Sequence, residues 1–212
     1  MKTVIAAGVA LLVAAPAVAQ DRPLGGARIE LRAGWDDAAP VVSYTDDTGT
    51  QRISGGRSGV AYGTELGYDV VFGNGGFVGA YAGVEDSTSK ACFTGITTRE
   101  CLEAGRNITA GLRVGYALPH NSMVYIKGGY SNGRIDYTYR DSAFPTDDFA
   151  LGHNFDGFHV GAGGELGVTQ HVYAKIEYLY THYNLLHVAT ATQGLSLDVD
   201  RHQVVGGVGY RF

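Results

Sequence analysis

The stretch Ala27-Arg-Ile-Glu-Leu-Arg-Ala-Gly-Trp-Asp36 alternates without a slip. Odd positions carry Ala27, Ile29, Leu31, Ala33 and Trp35, and even positions carry Arg28, Glu30, Arg32, Gly34 and Asp36. A β-strand sends successive side chains to opposite faces, so one face is apolar and the other charged. The same pattern returns at residues 60–72, 77–86, 107–117, 123–131, 158–167, 172–183 and 201–212. The fifth of these eight strands is expected to run on to Tyr139 through a bulge at Ser131-Asn-Gly133.

The connections alternate too. Short ones follow strands two, four and six, at 73–76, 118–122 and 168–171. Long polar ones follow strands one, three, five and seven, at 37–59, 87–106, 140–156 and 184–200. Short turns at one end and long loops at the other describe an up-and-down antiparallel barrel that crosses an outer membrane. The fold class read here is all-β: an eight-stranded antiparallel up-and-down transmembrane β-barrel over residues 27–212.

Charge decides which face is inside. Nearly every strand places ionised residues on the same face: Arg28, Glu30, Arg32, Glu65, Asp69, Glu85, Arg113, Lys127, Glu165, Lys175, Glu177, Arg201 and Arg211. No amphipathic helical period appears that could cover the apolar face of a soluble sheet. The charged face is therefore expected to point inward, where eight strands leave a tube that side chains largely fill. Mixed acids and bases offset the desolvation cost by pairing. Aromatic residues gather at strand ends, with Trp35, Tyr62, Tyr130 and Tyr180 near one rim and Phe72, Tyr116, Tyr210 and Phe212 near the other. Two such girdles mark the interfaces of a spanning barrel.

The first nineteen residues stand apart. Lys2, an apolar run from Val4 to Ala15, Pro16 and Ala17-Val18-Ala19 form a secretory signal cut before Gln20. The run is short for a spanning helix, so a leader is read rather than an anchor. Residues 20–26 form a short N-terminal segment ahead of the barrel. Export makes sense of the two cysteines: Cys92 and Cys101 are expected to form a disulfide. The chain-entropy model gives such a bridge roughly 2.5–3 kcal/mol. They make no CxxC motif, and no histidine lies near them to suggest a metal.

Composition agrees. Glycine is 32 of 212 residues, about twice ordinary usage, with 14 tyrosines and five prolines, as suits tightly packed, curved strands. The net charge is −5, and −6 once Lys2 leaves, which gives no basic footprint for nucleic acid.

The C-terminus reads Gly206-Gly207-Val208-Gly209-Tyr210-Arg211-Phe212. It resembles the last strand of bacterial outer-membrane barrels, which end in an aromatic residue with another two before it and a glycine further back. Phe212, Tyr210 and Gly207 match that pattern, and Val205 stands where a polar residue is usual. With Asn107-Ile-Thr-Ala-Gly-Leu-Arg-Val-Gly-Tyr116 and Tyr173-Ala-Lys-Ile-Glu-Tyr178, the chain resembles the small eight-stranded outer-membrane barrels grouped as opacity or porin-like surface proteins. The resemblance implies a monomer in the cell outer membrane, surrounded by lipid and inserted by the barrel-assembly machinery, which reads Gly207, Tyr210 and Phe212.

Three functions compete. The first is a non-enzymatic surface protein, a plugged barrel presenting four loops with acids such as Asp46, Asp47, Asp147 and Asp148, its ligand or receptor unassigned. The second is a narrow low-conductance channel. The third is a lipid-modifying enzyme, because some relatives place His and Ser two apart on an outward strand beside a carboxylate. Here Tyr180-Thr-His182-Tyr-Asn184 offers the histidine, but Asn184 cannot be a nucleophile. His120, His153 and His187 lack metal-ligand spacing, so no metal, cofactor or catalysis is expected.

Overall fold

The computed structural model describes residues 24–46, 49–54, 56–95, 97–119, 121–144, 146, 148–189 and 194–212. The leader, residues 20–23, Asp47, His120 and Asp147 fall outside that range, as do the side chains of Asp46 and His187. Ten strands follow in chain order: β1 (Gly26–Asp46), β2 (Gly49–Ser54), β3 (Arg57–Val71), β4 (Gly76–Ser87), β5 (Lys90–Thr94), β6 (Thr98–Leu118), β7 (Ser122–Asp141), β8 (Phe149–Gly167), β9 (Val172–Ala189) and β10 (Gly194–Arg211).

Eight of them form the ring. β1, β3, β4, β6, β7, β8, β9 and β10 pair with their neighbours in chain order, every ladder antiparallel, and β10 returns to pair with β1 from Arg28↔Arg211 to Thr45↔Gly194. Closure leaves the ring no unpaired edge. The two short strands carry ring ladders on toward the long hairpins: β2 continues the β3 side of β1 in unbroken register, Val41↔Ser54 after Ala38↔Arg57, and β5 takes over from β4 along the start of β6. Cys92 and Cys101 face each other directly across the β5–β6 ladder and form a disulfide, with Cα atoms 4.1 Å apart.

The strands outrun their sequence boundaries at one end. Much of each segment read as a long loop is paired strand: β1 continues to Asp46, β6 starts at Thr98, β8 at Phe149 and β10 at Gly194. Beyond the apolar belt no face must be greasy, so alternation lapses, but backbone groups still pair. At the other end the turns are tight. Phe72 N–H bonds Gly76 O at 2.7 Å, and Gly75 takes φ +87°, a conformation glycine adopts without strain. Asn121 takes φ +54° in the next turn, as Asn does more readily than most residues.

The bulge expected at Ser131-Asn-Gly133 lies instead on the facing strand. Asn107 pairs with Gly133 and Ala104 with Ile135, so Gly105 and Arg106 of β6 stand opposite Arg134 alone. Two residues against one exchange the faces of β6 beyond that point.

The polarity is inverted relative to a water-soluble sheet. Leu31, Leu112, Ile126 and Ile176 are 63–66% exposed, whereas Arg28, Glu65, Arg113 and Arg211 are at most 2% exposed. On β3 the apolar series runs from Tyr62 to Phe72. Ten steps of about 3.4 Å, on a strand tilted about 40°, span roughly 25 Å, the height of a membrane barrel's apolar band.

Glycines let large interior side chains lie against the wall. A Cβ on Gly111 would sit 2.6 Å from the Tyr81 hydroxyl and closer still to the Gly128 carbonyl oxygen. Gly111→Val should therefore cost about 1–3 kcal/mol by overpacking, read as a lower denaturant midpoint after refolding into vesicles. An unchanged midpoint would mean that Tyr81 does not lean on that wall.

Candidate functional site

The thirteen ionised residues singled out in the sequence all lie buried inside the ring. They form three connected tiers. Nearest the short turns, Arg113 forks onto Asp69 through Nε (2.8 Å) and Nη2 (2.5 Å) and reaches Glu165 through Nη1 (2.5 Å). Arg211 Nη2 bridges the same two carboxylates at 3.1 and 2.9 Å. The Arg113 guanidinium carbon lies 4.8 Å from the Tyr125 ring centre and 5.3 Å from that of Phe77, and Phe77, Met123 and Tyr125 make a small apolar cluster there.

The middle tier crosses the lumen. Glu65 on β3 accepts from Arg28 (3.0 Å) and Arg32 (3.2 Å) of β1 and from Lys127 (2.8 Å) of β7. Glu177 on β9 takes Lys127 at 3.2 Å, Arg32 at 3.4 Å and the Tyr125 hydroxyl at 2.8 Å. Glu30 joins Arg28, Lys175 and, at 2.5 Å, the Tyr173 hydroxyl. β3 and β7 are separated by two strands on the shorter way round the ring, so the Lys127–Glu65 contact is made through the interior.

Toward the long hairpins, Glu85 gathers Arg32 (2.5 Å), Arg201 (2.9 Å), Asn107 (3.1 Å) and Gln203 (3.2 Å). Arg201 also bonds Asp36 at 2.6 Å, and the Ser87 and Ser89 hydroxyls donate to the same carboxylate. Asp36 was on the charged face of the opening stretch but outside the expected set. Its inclusion makes, among the described residues, seven buried carboxylates (Glu30, Asp36, Glu65, Asp69, Glu85, Glu165, Glu177) against seven buried cations (Arg28, Arg32, Arg113, Lys127, Lys175, Arg201, Arg211). The interior is formally neutral, which is how ions survive burial at tolerable cost.

Sequence reasoning also missed His159. Its Nδ1 meets Ser131 Oγ at 2.8 Å and its Nε2 meets the Tyr81 hydroxyl at 2.5 Å. Ser131 and His159 are the types of a nucleophile and base, but both are fully buried among ion pairs, closed to a substrate.

On the outer wall the ladder sets His182 against Asp200. His182 Nδ1 lies 2.8 Å from Asp200 Oδ1, the Tyr180 hydroxyl donates to the same oxygen at 2.7 Å, and His182 Nε2 faces Asn184 Oδ1 at 3.2 Å. The imidazole is oriented, but an amide occupies the place a nucleophile would need. Just beyond the girdle, hydrogen bonds from Tyr130 and Asn132 hold the Asp156 carboxyl below the usual carboxylate range.

Trp35, Tyr62, Tyr130 and Tyr180 lie toward the long hairpins, joined there by Phe158 and Tyr178, while Phe72, Tyr116, Tyr210 and Phe212 lie toward the short turns. Tyr210 packs edge-on against Phe212, ring centres 5.0 Å apart, with both side chains exposed, and Gly207 faces Lys175 and Arg32 in the ladders. Among the described residues no group of His, Cys, Asp and Glu is placed to hold a metal.

The family model of the outer membrane protein beta-barrel domain matches residues 5–212. The chain belongs to this family. As a member it is an all-β barrel of the bacterial cell outer membrane. No curated protein matches the sequence. Similar solved structures include Neisserial surface protein A, at 17% identity over 87% of this chain and 97% of that one with a TM-score of 0.47. OprG from Pseudomonas aeruginosa shares 17% over 89% and 97%, at 0.43. The attachment invasion locus protein Ail of Yersinia pestis shares 13% over 85% and 98%, also at 0.43.

Proposed function

We propose that this family member is a non-enzymatic surface barrel, a closed pillar that carries extended hairpins on the outer face of the membrane. The observation that supports it best is the balanced network of seven cations and seven carboxylates, with contacts such as Lys127–Glu65 running through the lumen. Ion pairs that bridge the lumen hold its walls together and fill the space a solute would need. The apolar belt meets outer-membrane lipid, the barrel stands as a monomer, and Gly207, Tyr210 and Phe212 are read by the assembly machinery during insertion.

Planar-bilayer recording tests the reading against a narrow channel. The purified protein should give no reproducible unitary current. The double exchange Lys127→Ala with Glu65→Ala, which removes a cross-lumen pair without changing net charge, should give small steps. Reproducible single-channel steps from the unaltered protein would overturn the closed pillar in favour of a channel.

A further inference from the structure

Above the outermost ion pairs the lumen changes character. The bulge at Gly105–Arg106 puts Leu102 and Ala104 opposite Tyr137 and Ile135, and the inward series of β8 continues from His159 through Phe155 and His153 to Leu151. Leu102, Ile135, Leu151, Phe155 and Val199 wall a cavity of about 540 Å³ at the hairpin end. That is within the range of about 300–1,000 Å³ usual for small-molecule sites.

The floor is polar and incompletely matched. Arg201 spends Nε on Asp36 and Nη1 on Glu85. Its Nη2 and the Tyr183 hydroxyl lie beside each other, with Ser131 also near the hydroxyl, but neither atom completes a hydrogen bond of good geometry. Arg201 is 4% exposed and Tyr183 6%. Buried donors without acceptors are costly, so an acceptor from outside gains what the fold leaves unused. Of the cations along the cavity wall, Lys90 pairs with Glu103, Arg134 with Asp136 and Arg201 with Asp36 and Glu85, which leaves the Arg57 guanidinium as the positive charge at the mouth.

Apolar walls, two donors at the base and the Arg57 guanidinium at the mouth suit one kind of occupant. We propose that this vestibule binds a single-chain anionic amphiphile of the fatty-acid class. The alkyl chain lies against Leu102, Ile135, Leu151 and Phe155, and the carboxylate accepts from Arg201 Nη2 and the Tyr183 hydroxyl. The proposal rests on the closed-pillar reading, because the ion network is the floor of the site.

The test uses the whole protein in phosphatidylcholine nanodiscs with radiolabelled dodecanoate, with uptake by empty discs subtracted. One saturable equivalent per barrel is expected. Ala104→Trp, which fills the cavity, and Leu151→Glu, which places a carboxylate on an exposed part of its wall, should each weaken binding at least tenfold. Tyr183→Phe should weaken dodecanoate several-fold and leave dodecanol unchanged. Uptake no greater than that of empty discs, or unaltered by both wall variants, overturns the site. Equal loss of acid and alcohol in Tyr183→Phe, or loss of neither, overturns the carboxylate assignment. Bilayer current recorded on the same preparations keeps the two readings apart: an open pore defeats the closed pillar, and an empty vestibule defeats the ligand alone.

Discussion

Exchanging Glu65 for leucine should lower stability by about 3–5 kcal/mol, the cost of removing one partner from a buried ion network. Glu65 is met by Arg28, Arg32 and Lys127 at 2.8–3.2 Å. Its loss leaves seven buried cations facing six carboxylates in a space closed to water. The measurement is a urea titration of protein refolded into lipid vesicles, followed by tyrosine and tryptophan fluorescence. Removing Lys127 as well, as Glu65→Leu with Lys127→Met, restores neutrality and should recover a large part of the loss, since residues of one network do not act additively. A Glu65→Leu protein as stable as the parent would mean that the interior ions are hydrated rather than paired.

The second large effect is on the other face. Leu112 is 64% exposed, midway along the outward series of β6 between Ile108 and Tyr116. In a water-soluble protein an exposed leucine is exchanged for arginine within about 0.5 kcal/mol either way. Here Leu112→Arg places a guanidinium near the bilayer midplane and should cost about 2–4 kcal/mol, whereas Tyr116→Arg at the rim should cost about 0–1 kcal/mol. The gradient with depth, read in the same titration, is the signature. Equal costs at the two positions would contradict the placement of the belt.

The ring was legible because the membrane imposes a rule on every residue it surrounds. From Ala27 to Asp36 each outward side chain must be apolar or small and each inward one may be charged, so the strand writes its own register. Where water lies on both sides the rule lapses, and β1 beyond Asp37, β5 and the first half of β6 could not be told from loops by pattern. The bulge shows the same limit. Gly105 and Arg106 look like loop residues, and only the ladder with β7 shows them exchanging the faces of β6, which turns Leu102 and Ala104 inward and makes the vestibule apolar.

Long-range partners were less legible than faces. Period two puts Lys127 and Glu65 on the inward side, but not within 2.8 Å of each other; that follows from tilt and closure. Asp36 shows what a charge count could have added, because the expected interior carried one cation too many until it was included. His182 and Asp200 lie 18 residues apart and meet because the β9–β10 ladder sets them opposite.

Depth-dependent quenching by brominated lipids tests the inverted polarity most directly. The chain has one tryptophan, Trp35, which is outward and 47% exposed at the outer girdle. Its fluorescence should be quenched most by bromines near the headgroups. In a Trp35→Phe background, Leu112→Trp should be quenched most by bromines near the bilayer centre, and Phe77→Trp, at a lumen position, by none. Strong quenching of the Phe77→Trp probe together with none at Leu112→Trp would show ionised groups turned outward and contradict the account.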